Sequence, residues 1–460
     1  FLERRYNPQS RTILSLISLI SYVLTKVAVT VYAGGLVFQQ VFGIDTLWGI
    51  DFFWIAAIGL VVITALYTIF GGMKSVLYTS VLQTPILLLG SLIILVLGFK
   101  ELGGWKEMMS ICSNVTVNDY GDSMTDLIRD NRDPNFPWLG ALVGSSIIGF
   151  WYWCTDQFIV QRVLSGKNQK EARRGTIFGA YLKLLPVFLF LIPGMIAFAL
   201  HQKSLVAGGE GFLPMLANGM HNADAAFPTL VSKLLPAGVK GIVVCGILAA
   251  LMSSLASLFN SSAMLFTIDF YKRFRPETSE KKLVVIGQIA TAVIVLLGIL
   301  WIPIMRSVGD VLYAYLQDVQ SVLAPGIAAA FLLGICWKRA SAKGGMWGLL
   351  AGMVIGLTRL GAKVYYSTVG AGAGDSLFKY LFYDLNWLFF CGWMFLFCLV
   401  VVIVVSYCTE APSPEKIKGL VFGTSSKEQL AETRASWNVW DIVHTCIILA
   451  ITAAFYWYFW

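Results

Sequence analysis

Charge is scarce in this sequence. Of 460 residues, 13% are Asp, Glu, Lys or Arg, about half the roughly 25% usual in soluble globular proteins. Against that, 57% are hydrophobic and the mean hydropathy is +0.73, which excludes an ordinary cytosolic fold. Histidine is rarer still: His201, His221 and His444 are far apart in sequence and near the ends of apolar stretches. The eight cysteines include no CxxC or Cys/His spacing, so neither a zinc site nor a redox pair is implied. All but Cys112 fall in or at the edge of apolar stretches, where thiols behave as small hydrophobes. There is no HExxH, no GxSxG and no convergent carboxylate pair, so a membrane-embedded enzyme finds no catalytic constellation here. The net charge of +8 sits in short runs between apolar segments, a pattern of membrane topology rather than of a nucleic-acid partner.

What the chain has in abundance is apolar length. A hydrocarbon core about 30 Å thick needs roughly 20 apolar residues per helical crossing. Eleven such stretches lie near 12–42, 46–70, 75–99, 137–163, 173–201, 237–270, 281–304, 307–336, 343–366, 378–407 and 438–460. None shows the ~10-residue alternation of an outer-membrane barrel, so the reading is an all-α polytopic protein of the plasma membrane, or of the inner membrane in a bacterium. If the segments alternate, the basic runs around Arg4, Arg5 and Arg11, Lys167–Arg174, Lys272–Lys282, Lys338–Lys343 and Lys416–Lys427 all fall on the cytoplasmic side. Loops 100–136, 202–236 and 362–377, richer in Asp, Asn and Gly, fall outside, as does the C-terminus. The Gly-rich VGAGAGDS (369–376) follows no strand and reads as a flexible turn.

Polar groups at membrane depth cost several kcal/mol and usually face a cavity or a partner. Segment 137–163 carries Gly144, Ser145, Ser146 and Gly149, which should weaken the helix near its middle. Trp151, Tyr152, Trp153, Thr155, Asp156 and Gln157 follow. Rings beside hydrogen-bonding groups suit a sugar; an interfacial aromatic belt is the alternative. Lys183 lies ten residues into its segment, about 15 Å of helix, too deep for easy snorkelling. Ala250, Ser253 and Ser254 share one helix face. Two hydroxyls and a carbonyl are half a shell for a hard cation, although that spacing by itself favours close helix packing. Gln317, Asp318 and Gln320 precede Pro325-Gly326, which should break or kink the helix. Interrupted helices are the best sequence pointer to a transporter site. Lys26 sits mid-segment and calls for an internal partner, whereas Lys74 in GGMKS reads as a cytoplasmic anchor at a tight turn.

Taken together, YTIFGGMKSVLYTSVLQT (67–84), WYWCTDQFIVQRVLSGKN (151–168), GAYLKLLPVFLFLIPGMI (179–196), the 239–274 stretch with AALMSSLASLFNSSA, and LAPGIAAAFLLGICWKR (323–339) resemble the sodium/glucose cotransporter family of solute:sodium symporters. The pieces occur in family order nearly end to end. The resemblance implies about fourteen helices around a five-plus-five inverted repeat of the leucine-transporter type. On that pattern the sequence starts just before the fourth helix. It then lacks the first three, including the unwound helix that supplies carbonyls to the sodium and sugar sites, and reads as part of a longer protein. Residues 1–460 would form one transmembrane domain: 11–99 the last three helices of the first repeat, 137–336 the second repeat, and 343–460 accessory helices.

Carried over by position, the resemblance implies sodium ligands at the Ala250 carbonyl and the Ser253 and Ser254 hydroxyls. It implies an aromatic gate at Tyr152 with Trp153 beside it, and sugar hydrogen bonds from Lys183 and Gln317. It calls for no cofactor, sodium being the coupling ion, and requires no oligomer. The function implied is sodium-coupled import of a glucose- or galactose-like hexose by alternating access. Inositol, another polyol or sialic acid are the alternative substrates, and a sensor that binds without transporting is the rival class. Three departures matter: Gly149 and Ala314 stand where relatives carry polar groups, leaving a roomier, less polar pocket. Ser80 replaces an Asp associated with a second sodium, which predicts one sodium per substrate.

Overall fold

The computed structural model describes residues 1–216, 219–308, 311–369 and 376–459, with the side chains at 67, 69–80, 82, 306–308 and 369 outside the description. Lys74, Ser80 and most of the Gly-rich stretch therefore lie outside the described residues. Among the described residues, nine helices are long and apolar enough to cross a membrane, and Phe52–Leu66 and Trp138–Cys154 are shorter apolar helices. The chain is a mostly helical, multi-pass membrane protein. It packs as two units that interleave in sequence: Phe1–Lys26, Arg129–Ile177 and Ser261–Ile447 form one, and Val27–Ile128, Phe178–Asn260 and Ile448–Trp460 the other.

In the first unit the Pro8–Ser21 helix starts where the sequence dictates. Asn7 accepts from the Ser10 amide at 2.7 Å, and Pro8 supplies a first-turn residue that needs no donor. Arg5 is buried, and its three guanidinium nitrogens donate to the carbonyls of Gly334, Trp337 and Ala340 at 2.8–2.9 Å. It thus satisfies the orphan acceptors at the C-terminus of the Leu312–Cys336 helix instead of lying among headgroups. That helix packs with Ala342–Val369, Trp387–Tyr407 and Trp138–Cys154. It runs unbroken through Pro325-Gly326, contrary to the expectation from sequence. A Cβ on Gly326 would lie 2.9 Å from the Gly352 Cα, so backbone packs on backbone, and neighbouring helices can accommodate the missing amide of a membrane proline.

The break occurs elsewhere. The Trp138–Cys154 helix passes intact through Gly144–Gly149 and stops at Thr155-Asp156, after which Gln157–Leu164 starts a new helix. At Gly144 a Cβ would sit 2.7 Å from the Leu388 carbonyl oxygen, so its small size serves helix packing.

The second unit is built around Ile94, Leu102, Met108, Ile192, Ile196, Leu230 and Val243. Two expected crossings, 46–70 and 75–99, are one helical stretch, Phe52–Leu102. It begins at Phe52 because Thr46-Leu47 pairs with Ile50-Asp51 in a hairpin whose Asp51 carboxylate caps the helix. Cys112 also departs from expectation. It belongs to the short Trp105–Ser113 helix, its thiol faces the Met195 carbonyl at 3.8 Å, and burial pushes its pKa up to about 11. The loop composition around it conceals an amphipathic helix. His201 and His221, far apart in sequence, bring their rings to 5.6 Å, and a backbone bridge joins His221 to Met215. His201 Nδ1 is satisfied by the Leu213 amide at 3.0 Å. Among the described residues no cluster of three metal-ligating side chains occurs.

Candidate functional site

The helix break in the first unit organises most of its polar chemistry. The Thr155 and Asp156 amides both donate to the Trp151 carbonyl at 3.0 Å, closing the first helix. Asp156 then opens the next one: its carboxylate accepts from the Phe158 amide at 3.2 Å and from the Tyr22 hydroxyl at 2.8 Å. The same carboxylate pairs with the Lys26 ammonium, and both side chains are almost completely buried. Lys26 belongs to a π-helical turn, Tyr22–Val27, inside the Pro8–Phe42 span. Such turns often mark functional positions. Four aromatic rings surround its ammonium: Phe158 at 4.3 Å, Tyr22 at 4.7 Å, Tyr152 at 5.2 Å and Trp151 at 6.0 Å from their centroids. A charge that could not remain alone at membrane depth thus has a carboxylate and π faces around it.

Tyr152 is half-buried and meets Trp153 edge to face at 5.2 Å, while Trp153 itself is exposed. Gln317 lies on the Leu312–Cys336 helix, which packs against the helix of Tyr152, and donates its amide to the Tyr313 hydroxyl at 2.8 Å. Two residues earlier, Tyr315 donates to the Leu24 carbonyl at 2.9 Å and accepts from Trp301 Nε1 at 2.6 Å. A wider π-helical turn shifts carbonyls off the regular ladder, and Tyr315 takes up that of Leu24. A Cβ on Gly149 would meet nothing within 4 Å, so the space beside it is open.

Asp318 is adjacent to Gln317 but faces other partners. It pairs with the Lys363 ammonium and lies 3.8 Å from Arg359 Nη2. Arg359 is buried, donates to the Leu381 and Leu385 carbonyls, and packs over the Phe390 ring. This cluster, with two cations to one carboxylate, escaped the sequence reading. Its only signal was two basic residues four apart inside an apolar segment.

In the second unit Ala250, Ser253 and Ser254 fall on the Ala237–Met264 helix, with Ser253 buried and Ser254 and Ala250 half-buried. The Ser257 hydroxyl donates to the Ser253 carbonyl at 2.9 Å. Lys183 stands in the last turn of Gln169–Pro186, a helix that buries none of its residues, and is exposed. The structure thus places Tyr152, Trp153 and Gln317 on packed helices of one unit, and Lys183, Ala250, Ser253 and Ser254 in the other.

Comparison with known proteins is consistent with this architecture. The sequence profile of the sodium:solute symporter family matches residues 1–352. The human sodium/myo-inositol cotransporter 2 is 38% identical over 423 residues, 90% of this chain and 62% of that protein. The zebrafish sodium/glucose cotransporter 4 is 35% identical, over 95% of this chain and 67% of its own length. A bovine sodium/mannose cotransporter is 34% identical, over 100% and 79%. The chain thus spans about three fifths of the length of the myo-inositol cotransporter it matches. Among solved structures, the substrate-bound outward-open state of a Na+-coupled sialic acid symporter superposes with a TM-score of 0.66 at 21% identity, over 90% of this chain and 77% of that one. That likeness shows a shared fold.

Proposed function

Because the chain belongs to the sodium:solute symporter family, we propose that it is the greater part of a sodium-coupled importer of a neutral, polyhydroxylated ring. The observation that carries this reading is the helix interrupted at Thr155-Asp156 beside the half-buried Tyr152 ring. A ring face there can stack on the C–H face of a sugar while Gln317, on the adjacent helix, offers both a donor and an acceptor for hydroxyls. The family resemblance implies a further donor at Lys183. Sodium is assigned to the Ala250 carbonyl and the Ser253 and Ser254 hydroxyls, oxygen donors suited to a hard cation. No covalent step is required. One positive charge entering a cell gains about 2.3 kcal/mol per 100 mV, and a tenfold uphill solute gradient costs about 1.4 kcal/mol. One sodium per substrate, inferred from Ser80, therefore suffices for accumulation.

We infer a hexose of the glucose or galactose type as the substrate. A cyclic polyol such as myo-inositol is the second reading, favoured by the open space beside Gly149 and by the similarity to myo-inositol cotransporters. The test is uptake of labelled glucose, galactose and myo-inositol into proteoliposomes of the full-length protein, with sodium and with choline in its place. Sodium-dependent accumulation above equilibrium supports the importer, and its pattern ranks the substrates. Binding without accumulation replaces the importer with a sensor.

A further inference from the structure

The first unit also holds a cavity outside the polar site. It is an apolar groove of about 560 Å³, walled by Leu19, Ile20, Val23 and Leu24, by Phe266 and Tyr271, and by one face of the Glu280–Val308 helix from Ile286 to Leu297. Its lining is almost wholly hydrocarbon. Two of its wall residues, Val23 and Leu24, belong to the π-helical turn that holds Lys26. From Ile286 to Leu297 the groove runs about 16 Å at helical rise, half of a ~30 Å hydrocarbon core and so the depth of one leaflet.

The ends of the groove differ chemically. Tyr271 is followed directly by Lys272 and Arg273, and Lys281 and Lys282 stand one turn before Ile286. Including Arg275, the connection 272–282 carries five cations against the carboxylates Glu277 and Glu280, and all five cations are exposed. Arg273 donates to the Pro8 carbonyl at 3.2 Å and to the Thr12 hydroxyl. It thereby ties the basic end to the helix that supplies the opposite wall. Phe274, 75% exposed, stands beside them as an aromatic of the membrane interface.

We propose that this groove is a binding site for one anionic phospholipid, with an acyl chain along Ile286–Leu297 and the phosphate at the Lys272, Arg273, Lys281 and Lys282 end. The apolar walls accept any acyl chain, so selectivity for the anionic lipid comes from the basic end. The bound chain packs against the outer side of the turn that carries Lys26.

The test is native mass spectrometry of the delipidated full-length protein after adding phosphatidylglycerol or phosphatidylcholine with identical acyl chains. Wild type should retain phosphatidylglycerol about tenfold better, from two or more cations near the headgroup. The K281Q/K282Q variant should lose that preference while retaining phosphatidylcholine as before. Ala290→Phe, which fills the groove, should release both lipids, and Val293→Trp at an exposed wall position does the same where the Ala290 variant fails to fold. Equal retention of the two lipids by wild type overturns the proposal. So does undiminished phosphatidylglycerol retention in a folded groove-filling variant, which would mean headgroup attraction alone.

Discussion

The hydroxyl of Tyr315 donates to the carbonyl oxygen of Leu24 across 2.9 Å. The donor lies two residues before Gln317 and the acceptor two before Lys26. One hydrogen bond thus fixes the register between the helix offered for the solute and the turn that holds the buried ammonium. Tyr315→Phe leaves a buried carbonyl and the Trp301 indole N–H unpaired, at about 1–3 kcal/mol. Amide hydrogen exchange should rise in residues 22–27 more than in the rest of the first unit, and uniform protection in the variant would refute the link.

The Lys26–Asp156 pair makes a sharper test through a double-mutant cycle. Lys26→Met strands a buried carboxylate and Asp156→Asn a buried ammonium, each costing about 3–5 kcal/mol. The double variant should recover most of that loss in thermal unfolding, since no unpaired charge remains. Additive losses would mean that the two groups do not depend on each other.

Ser254→Ala should raise the half-saturating sodium concentration about tenfold, the loss expected when a group bonded to a charge is removed. Solute affinity measured at saturating sodium should change little. Uptake with wild-type sodium dependence removes Ser254 from the cation site.

Removal of one neutral hydrogen bond to a hydroxyl costs about 1 kcal/mol, so Gln317→Ala should raise the half-saturating solute concentration about fivefold, and Lys183→Ala, which removes a charge-assisted bond of about 1.5–3 kcal/mol, about tenfold or more. Gln317 gives one N–H to Tyr313 and keeps its other N–H and its carbonyl oxygen for a solute. Tyr313→Phe should therefore lower the half-saturating concentration or leave it unchanged. Wild-type kinetics for both alanine variants would take these residues out of the site.

Gly144 and Gly149 of the 138–154 helix should respond differently. Gly144→Ala forces a methyl against the Leu388 carbonyl and should destabilise the protein by about 1–3 kcal/mol. Gly149→Ser projects into open space, and its unfolding midpoint should match wild type while solute selectivity shifts. A midpoint lowered equally by both changes would mean that the space beside Gly149 is filled.

The membrane class was fully legible, because apolar length needs no tertiary context. The serine face as a sodium site rests on likeness to relatives alone, since small residues at that spacing serve packing equally well. Lys26 announced that it needed a partner, yet nothing local could say that the partner lay 130 residues away. Arg359 and Lys363 were missed because their counterion, Asp318, stands on a different helix. Proline and glycine chemistry located the interruption in the wrong place. Pro325 is sustained by close helix neighbours, whereas the break falls at Thr155-Asp156, where an aspartate can cap a new helix.

The backbone contact between Gly326 and Gly352 has a mechanical corollary. Where the two backbones touch, no side chain intervenes and no rotamer can rearrange to let the helices slide, and the Asp318–Lys363 pair ties them again further along. The Leu312–Cys336 and Ala342–Val369 helices must therefore travel as one rigid strut. A pair of spectroscopic probes, one on each, would hold a constant separation through every stage of turnover. Such a pair is a fixed ruler against which the displacement of other helices can be read.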